Sequence, residues 1–310
     1  MERLTWSLFE EPYWLEAVAP NQWSTVEVAE NGVVVGRLPF RLRRQSGLTR
    51  IGAPPLTPWL GPWIRSRGGK YLNELSLQHQ TLVALIEQLP KADEIRIACA
   101  PEFTNLMAMY WHGYDLKLRY TYRLALDSGV DCLWQGLREN IRRETRKAEK
   151  QLVVSTESSL SEFFGVVEKT FARQNQSRRE LLPVLERIDD VMGKRGQRCF
   201  YFARDAAERL HAAIYVVFDD RCSFYLMGGG DPELRSSGAH SLLMWHAIKD
   251  GVGRSTVFDF EGSMIEPIEK FFRAFNARQT PRYLAERHSQ LGRLAGVVNS
   301  SLGAMRGRSR

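Results

Sequence analysis

The sequence predicts an α/β (α+β) chain of two units, each a mixed, mostly antiparallel sheet flanked by helices. Three observations carry that reading. The 310 residues are long for one domain and comfortable for two of about 150 residues each. The first third alternates strand-like runs, turns and helical stretches, closing a β-β-α-β-α-β order near residue 126. A second stretch opens on a basic helix and runs through a three-stranded meander into a loop, helix, strand and helix. The boundaries are therefore placed at 1–126, 127–290 and a basic tail at 291–310. A composition 44% hydrophobic and 25% charged supports a packed core and excludes a disordered or collagenous chain.

In the first unit, "STVEVAENGVVVGRLPFRLRR" reads as a hairpin: Val26 and Val28 alternate with polar residues, Asn31-Gly32 supplies the turn, and Val33 to Phe40 returns. "IGAPPLTPWLGPWI" holds Pro54, Pro55, Pro58 and Pro62 with Gly52 and Gly61, too many breakers for regular structure. The rings of Trp59 and Trp63 make it a structured loop, either packing into the core or lining a pocket. A helix over 71–89, the strand "EIRIACA", a helix over 103–111 and the strand "RYTYRLAL" follow.

The second unit starts with "DCLWQGLRENIRRETRKAEKQL". Trp134, Leu137, Ile141, Ala148 and Leu152 share one face at helical spacing. Arg138, Arg142, Arg143, Arg146, Lys147 and Lys150 occupy the rest against Glu139, Glu144 and Glu149. Such a face is either a solvated surface with ion pairs such as Glu139 with Arg143, or a docking surface for phosphate oxygens, with Arg138, Arg142, Arg146 and Lys150 as the contacts. Helices over 161–174 and 181–194 precede the meander 199–205, 210–218 and 221–227.

No apolar run approaches the roughly 18 residues of a membrane span. "MERLTWSLFEEPYW" lacks the apolar stretch and cleavage site of a signal peptide. Cys99, Cys132, Cys199 and Cys222 are widely spaced, without Cys-x-x-Cys or a neighbouring His, and read as free thiols of a reduced, cytoplasmic protein. The six histidines form no pair at ligand spacing, so no metal site is expected. The Gly-x-Ser-x-Gly elbow of a serine hydrolase is absent. A net charge of +7 suits polyanionic partners such as RNA, nucleotide-linked substrates or an anionic membrane surface, or serves solubility alone.

Two segments carry candidate chemistry. A strand ends in Gly228-Gly229-Gly230, a loop carries Arg235, and Ser236-Ser237-Gly238-Ala239-His240 leads into a helix. Free N–H groups and the helix dipole at such a start favour a phosphate or carboxylate, although capping alone also explains Ser and Gly there. The second segment is "FDFEGSMIEPIEKFFRAF", where Asp259 and Glu261 interrupt an apolar strand. Strand alternation puts both acids on one face and Phe258 and Phe260 on the other, so the acids line a cleft or contact solvent and neighbouring arginines. Ser263 and Glu266 have capping-box spacing, Pro267 fits a first turn, and Ile268, Phe271, Phe272 and Phe275 form one buried stripe.

The strand, Arg235-x-x-Gly238-Ala239 loop, helix, strand, helix order resembles the acyl-donor half of the GNAT acyltransferase fold. There such a loop cradles the pyrophosphate of coenzyme A; His240 stands where Gly or Ala is usual. "FDFEGS" with "IEKFFRAFNARQTPRY", and "RENIRRETRKAEKQLVVSTES" at the start of the second unit, resemble the FemABX-like (BioF2-like) tandem GNAT proteins, in a compact form without the coiled-coil arm. The resemblance implies transfer of an aminoacyl group from aminoacyl-tRNA to the amine of a cell-wall precursor, or of an acyl group from acyl-CoA to another amine. It implies no permanently bound cofactor, a tRNA or coenzyme A thioester partner, and an amine acceptor that can be nucleotide-linked. DNA is not an implied partner, and peripheral membrane contact stays open. Typical ligases place a lysine near the end to stabilise the developing oxyanion. Phe272 stands at that position here, with Lys270 and Arg273 beside it.

Acyl transfer to an amine needs a proton acceptor and donors for the oxyanion. Asp259 and Glu261 are the candidate bases, and Lys270 and Arg273 the candidate cations. Tyr225 is a relay or a core tyrosine, and Arg235, Ser237, Gly238, Ala239 and His240 are the donor contacts. A catalytically idle binding module for a nucleotide-linked ligand is the reading from another class.

Overall fold

The computed structural model describes residues 3–173 and 177–294. In chain order the elements are α1 (Pro12–Val18), β1 (Trp23–Glu30), β2 (Val33–Gln45), β3 (Leu48–Gly52), β4 (Trp63–Ile64), α2 (Tyr71–Glu87), β5 (Glu94–Ala98), α3 (Met107–Trp111) and β6 (Asp115–Ala125). Then follow α4 (Val130–Gly136), α5 (Glu139–Glu149), β7 (Val153–Ser155), α6 (Leu160–Ala172), α7 (Leu182–Lys194), β8 (Arg198–Arg204), β9 (Leu210–Phe218) and β10 (Cys222–Gly230). α8 (Ala239–Gly251), β11 (Val257–Asp259), α9 (Glu266–Arg273) and β12 (Arg278–His288) come next, and residues 290–294, the last described, are helical. Packing divides it into one unit up to Arg119 together with the chain from Arg282 onward, and a second from Tyr120 to Pro281. The sequence reading draws its lines at 126/127 and 290/291; the tail it expects there lies, from residue 295, outside the described residues.

The first unit pairs β1-β2-β3-β5-β12, with β4 on β2. Asn31 and Gly32 both sit at positive φ, as a tight hairpin turn requires, and Ser46-Gly47 repeats the device between β2 and β3. β3 and β5 are parallel, joined through the proline-rich loop and α2. That loop packs by its tryptophans: Trp59 is fully buried, meets Phe9 edge-on at 5.5 Å and donates Nε1–H to Ser7 Oγ at 2.9 Å. Leu38, Phe40, Ile51, Ile95, Ile97 and Ala285 join Leu82 and Leu85 of α2 and Ala108 and Met109 of α3 in the core, one face of the sheet against two helices.

The second unit pairs β6-β11-β10-β9-β8-β7, antiparallel except for β10 with β11. The meander falls where alternation places it, but β10 continues through the three glycines. A Cβ on Gly229 would lie 2.6 Å from Val167 Cα and 2.8 Å from the Val166 carbonyl, so glycine lets α6 lie directly on the strand. α8 is buried almost all round, from Ala239 to Gly251, and is the spine of this unit's core.

The basic helix is two helices. Leu137 is extended (ψ 143°), and the Arg138 N–H donates to the Ala274 carbonyl at 2.9 Å, which fixes the break between α4 and α5. The apolar face survives it: Leu137, Ile141, Ala148 and Leu152 are all buried.

Candidate active site

β10 and β11 run parallel only from Cys222↔Val257 to Phe224↔Asp259. Beyond that register β10 continues for six residues to Gly230, while the chain after Asp259 turns away. The two strands splay, and the edge of β10 from Tyr225 onward has no β11 partner. Within the splay β10 carries a bulge, with Tyr225 opposite Val216 and Met227 opposite Tyr215, leaving Leu226 as the extra residue. A bulge at the mouth of a splayed parallel pair re-aims side chains and leaves strand N–H groups available to an extended ligand.

The turn after β11 corrects one expectation. Glu261 lies in the left-handed region at φ 57°, followed by Gly262 at φ 62°, so strand alternation ends at Asp259 and the two acids do not share a face. A Cβ on Gly262 would strike the Tyr120 carbonyl and Thr121 Cα, which dictates glycine there. Asp259 is fully buried. Its Oδ1 accepts the Thr121 hydroxyl at 2.5 Å and the Glu261 N–H at 2.8 Å, and its Oδ2 accepts Arg123 Nε–H at 2.7 Å. Asp259 thereby shapes the turn that presents Glu261.

Glu261 is half-buried and its negative charge reaches the phenol of Tyr225. Burial, and then Glu261, push that phenol well above the ordinary tyrosine range, so it stays protonated and can donate. The Tyr225 hydroxyl lies against Gly228, where a Cβ would collide with it, and its ring meets Phe272 edge-on at 6.0 Å. Phe272 is buried and packs on Phe260 at 5.3 Å. The position of the ligase lysine is thus an aromatic core position here.

Lys270 and Arg273 each have a glutamate partner on their own helix. Lys270 pairs with Glu266 at 2.6 Å and Arg273 with Glu269 at 3.4 Å, each one turn away on α9, both cations exposed. Glu269 also accepts the Tyr122 hydroxyl at 2.7 Å, and burial together with this bond raises the pKa of that phenol. The α9 stripe is shorter than expected: Phe272 and Phe275 are buried, Phe271 half-buried and Ile268 exposed. The capping box is not formed; Ile265 is the N-cap, and Ser263 Oγ accepts the Ile265 N–H at 3.0 Å.

The loop after β10 folds as a 3-10 turn over Arg235–Ser237, with Gly238 at φ 79° starting α8. Ser237 Oγ accepts the Ala239 N–H at 3.3 Å. A small cavity of about 100 Å³ is lined by Arg235, Ser237, Ala239 and His240 together with Gly230 and His211. The His240 ring packs on Gly230, where a Cβ would come within 2.6 Å of Cε1, and burial depresses its imidazole pKa. Arg235 itself is exposed.

α5 is fastened to this loop. Ser241 donates to Glu144 Oε2 at 2.8 Å, and the Gly238 turn lies so close to the Glu144 carbonyl that a Cβ would sit at 2.9 Å. Arg138, Arg143, Arg146, Lys147 and Lys150 are exposed. Arg142 is half-buried and pairs with Glu139 at 2.7 Å, in place of the Glu139–Arg143 pair expected, because its guanidinium also donates to the Gln135 carbonyl at 3.0 Å. Arg146 lies over the Trp134 ring at 5.5 Å.

Splayed parallel strands, a glycine-started helix after the longer one and a polar turn between them define the donor half of a GNAT-type fold. Residues 135–264 match the family model for the Acetyltransferase (GNAT) domain, and the chain is an acyltransferase of that fold. Its fold is similar to that of FemX, with a TM-score of 0.66 and 16% identity, covering 89% of this chain and 91% of that one. It is also similar to a tandem GNAT protein from the clavulanic acid biosynthesis pathway (TM-score 0.55, 12% identity, 89% and 86% covered). A third likeness is the C-terminal domain of a putative lysylphosphatidylglycerol synthetase from Agrobacterium fabrum (TM-score 0.55, 12% identity, 96% and 93% covered). The FemABX-like tandem GNAT resemblance of the sequence is therefore matched by the fold. No curated protein matches the chain. Among the described residues no helix is long and apolar enough to cross a membrane.

Proposed function

We propose that the chain is an N-acyltransferase that takes an aminoacyl group from aminoacyl-tRNA and passes it to an amine. The observation that carries this reading is the attachment of α5 to the donor loop through Ser241–Glu144 and the Gly238 turn. Five exposed cations, Arg138, Arg143, Arg146, Lys147 and Lys150, then sit on the helix beside that loop. A phosphodiester backbone running past the loop would meet them in series. The cavity at the loop, about 100 Å³, suits the tip of a long donor better than a whole buried cofactor.

In this reading the unpartnered edge of β10 from Tyr225 supplies N–H groups to the acyl oxygen as negative charge develops on it. Glu261 accepts the proton lost by the attacking amine, directly or through a water, and the protonated Tyr225 phenol donates to the leaving oxygen. Asp259, Thr121 and Arg123 hold the turn that aims Glu261 and are positioning residues. Lys270 and Arg273 keep their own helix's glutamates and take no part. The acceptor is an amine of a cell-wall precursor, a small molecule or a peptide.

A coenzyme A thioester donor is the second reading, favoured by the splayed strands and by the Arg235–Ala239 turn, which present N–H groups as a pantetheine and its pyrophosphate would need. Incubation with charged tRNA and, separately, with acyl-CoA, followed by mass spectrometry of candidate amines, separates the two. Transfer abolished by RNase supports the tRNA donor; transfer that survives RNase and tracks thiol release overturns it.

A further inference from the structure

The sheet face of the first unit opposite α2 holds a basin of about 670 Å³ that the acyl-transfer reading does not use. Six arginines line it: Arg41 and Arg43 from β2, Arg50 from β3, Arg96 from β5, Arg119 from β6 and Arg282 from β12. Alternation explains the geometry. Leu38, Phe40, Ile51, Ile95 and Ile97 point to the core on one side, which turns Arg41, Arg43, Arg50 and Arg96 to the other. The floor between them is small and apolar, with Gly52, Ala98 and Leu284, and the proline-rich loop forms a wall through Pro54, Pro55 and Pro58.

The charge on this face is not balanced locally. Among the described residues Glu94 is the only acid in the lining; it pairs with Arg50 at 2.9 Å, and Glu286 takes Arg96 at 2.9 Å together with Lys117. Arg41 donates to the neutral amide of Gln22 at 2.6 Å, and Arg119 to the Leu118 carbonyl at 3.3 Å. Arg43 and Arg50 sit directly opposite each other across β2 and β3. Like charges in that register destabilise a sheet, and burial, then the neighbouring Arg43, lower the Arg41 pKa. A solvated surface would be built with less repulsion from mixed charges, and from lysine as readily as arginine. Among the described residues the basin is lined by no lysine, and guanidinium forks are the groups that take phosphate oxygens two at a time.

We infer that this basin is a binding site for a ligand carrying at least two phosphoryl groups, with an uncharged body resting on the apolar floor. The volume falls within the roughly 300–1,000 Å³ of small-ligand sites, and Arg41 and Arg43 on β2 are separated from Arg119 on β6 by β3, β5 and β12, so these three arginines, which no acid of the lining takes up, are spread too widely to meet on one phosphate. The inference stands apart from the donor reading, since every lining residue belongs to the first unit. The phosphates can come from a free diphosphate or from a lipid headgroup, and the test separates these sources.

Titration calorimetry of the full chain with inorganic pyrophosphate, and sedimentation with vesicles containing cardiolipin, whose headgroup carries two phosphates, against phosphatidylcholine vesicles, provide the two arms. The double variant Arg41→Gln/Arg43→Gln is compared with Arg138→Gln/Arg143→Gln on α5, with circular dichroism checking the fold. A tenfold or greater loss of pyrophosphate affinity in the first variant but not the second supports a soluble diphosphate ligand. The same loss on cardiolipin vesicles, with pyrophosphate competing, supports a lipid headgroup. Arg119→Gln alone carries the comparison if the double variant does not fold. Binding of both probes that is unaffected by these substitutions, or no binding of either at millimolar concentration, overturns the inference. Because acyl transfer is measured separately, failure here leaves the donor reading standing.

Discussion

Arg123 on β6 donates Nε–H to the fully buried Oδ2 of Asp259 at the end of β11, 2.7 Å away and 136 positions later in the chain. Thr121, two residues earlier on the same strand face, takes Oδ1. This arrangement separates the two acids that the sequence leaves equivalent. Asp259→Ala strips Thr121 and Arg123 of the carboxylate and undoes the turn to Glu261, at a cost of about 3–5 kcal/mol, read as a lower urea midpoint. Glu261→Gln keeps shape and hydrogen-bonding capacity, so the urea midpoint holds while turnover falls by about tenfold or more. A stable Asp259→Ala protein, or full turnover in Glu261→Gln, contradicts this division of roles.

Gly229 is the position where a single methyl group should matter most. Its would-be Cβ meets backbone of α6, Val167 Cα at 2.6 Å and the Val166 carbonyl at 2.8 Å, and neither can rotate away. Gly229→Ala should therefore destabilise by about 1–3 kcal/mol. Gly165→Ala, with open space around its site on the same helix, is the matched control. Thermal melts of the two variants are the measurement.

Two histidines contribute to the loss of stability in mild acid. Burial lowers the pKa of His240, and burial with the nearby Lys249 lowers that of His246. The unfolded chain binds these protons near the ordinary value of about 6.5, whereas the folded chain resists them. Their contribution to stability is then complete above that value and declines as pH falls through it toward the depressed folded values. The decline between about pH 7 and pH 5 should shrink in His240→Gln and shrink further in the double variant with His246→Gln. Urea midpoints across that range give the slope directly.

What was legible in the sequence was local. Asn31-Gly32 marks a hairpin by itself, the meander announces its three strands by alternation, and Leu137, Ile141, Ala148 and Leu152 keep their buried face although the helix breaks between α4 and α5. The break was hidden because the bond that fixes it, Arg138 N–H to the Ala274 carbonyl, joins residues 136 positions apart. Alternation misplaces Glu261 for a different reason: it assumes ordinary φ, and a glutamate at φ 57° is rare. A signal for its support existed, since Thr121 and Arg123 are polar residues on one face of "RYTYRLAL" opposite Tyr122 and Leu124. The arginine basin is drawn from five strands, and only Arg41 and Arg43 are close enough in sequence to suggest a shared face.

Charge on α5 offers a test through salt. If Arg143 and Lys147 contact RNA phosphates, Arg143→Glu with Lys147→Glu should weaken tRNA binding and flatten the dependence of log K on log salt by about 0.7–0.9 for each phosphate no longer neutralised. Both side chains are exposed, so melting temperature should hardly change. Filter binding from about 50 to 200 mM salt provides the slopes, and parallel lines for the two proteins would mark α5 as a solvated surface.

The cations of α9 should be dispensable. Lys270 and Arg273 pair with Glu266 and Glu269 one turn back on an exposed helix face, and exposed pairs of this spacing contribute about 0.3–0.5 kcal/mol. The oxygens of Asp259 are taken instead by Thr121, Arg123 and the Glu261 N–H. Lys270→Ala and Arg273→Ala should leave kcat within about twofold of the parent and shift the urea midpoint only slightly. Restoring the ligase lysine by Phe272→Lys should do the opposite. It would place an ammonium among Phe260, Phe271 and Tyr225, at a site 5% exposed, where an uncompensated charge costs several kcal/mol. Loss of the cooperative melt in Phe272→Lys, beside unchanged turnover in the two alanine variants, would establish that this chain performs acyl transfer without a cation at that helix.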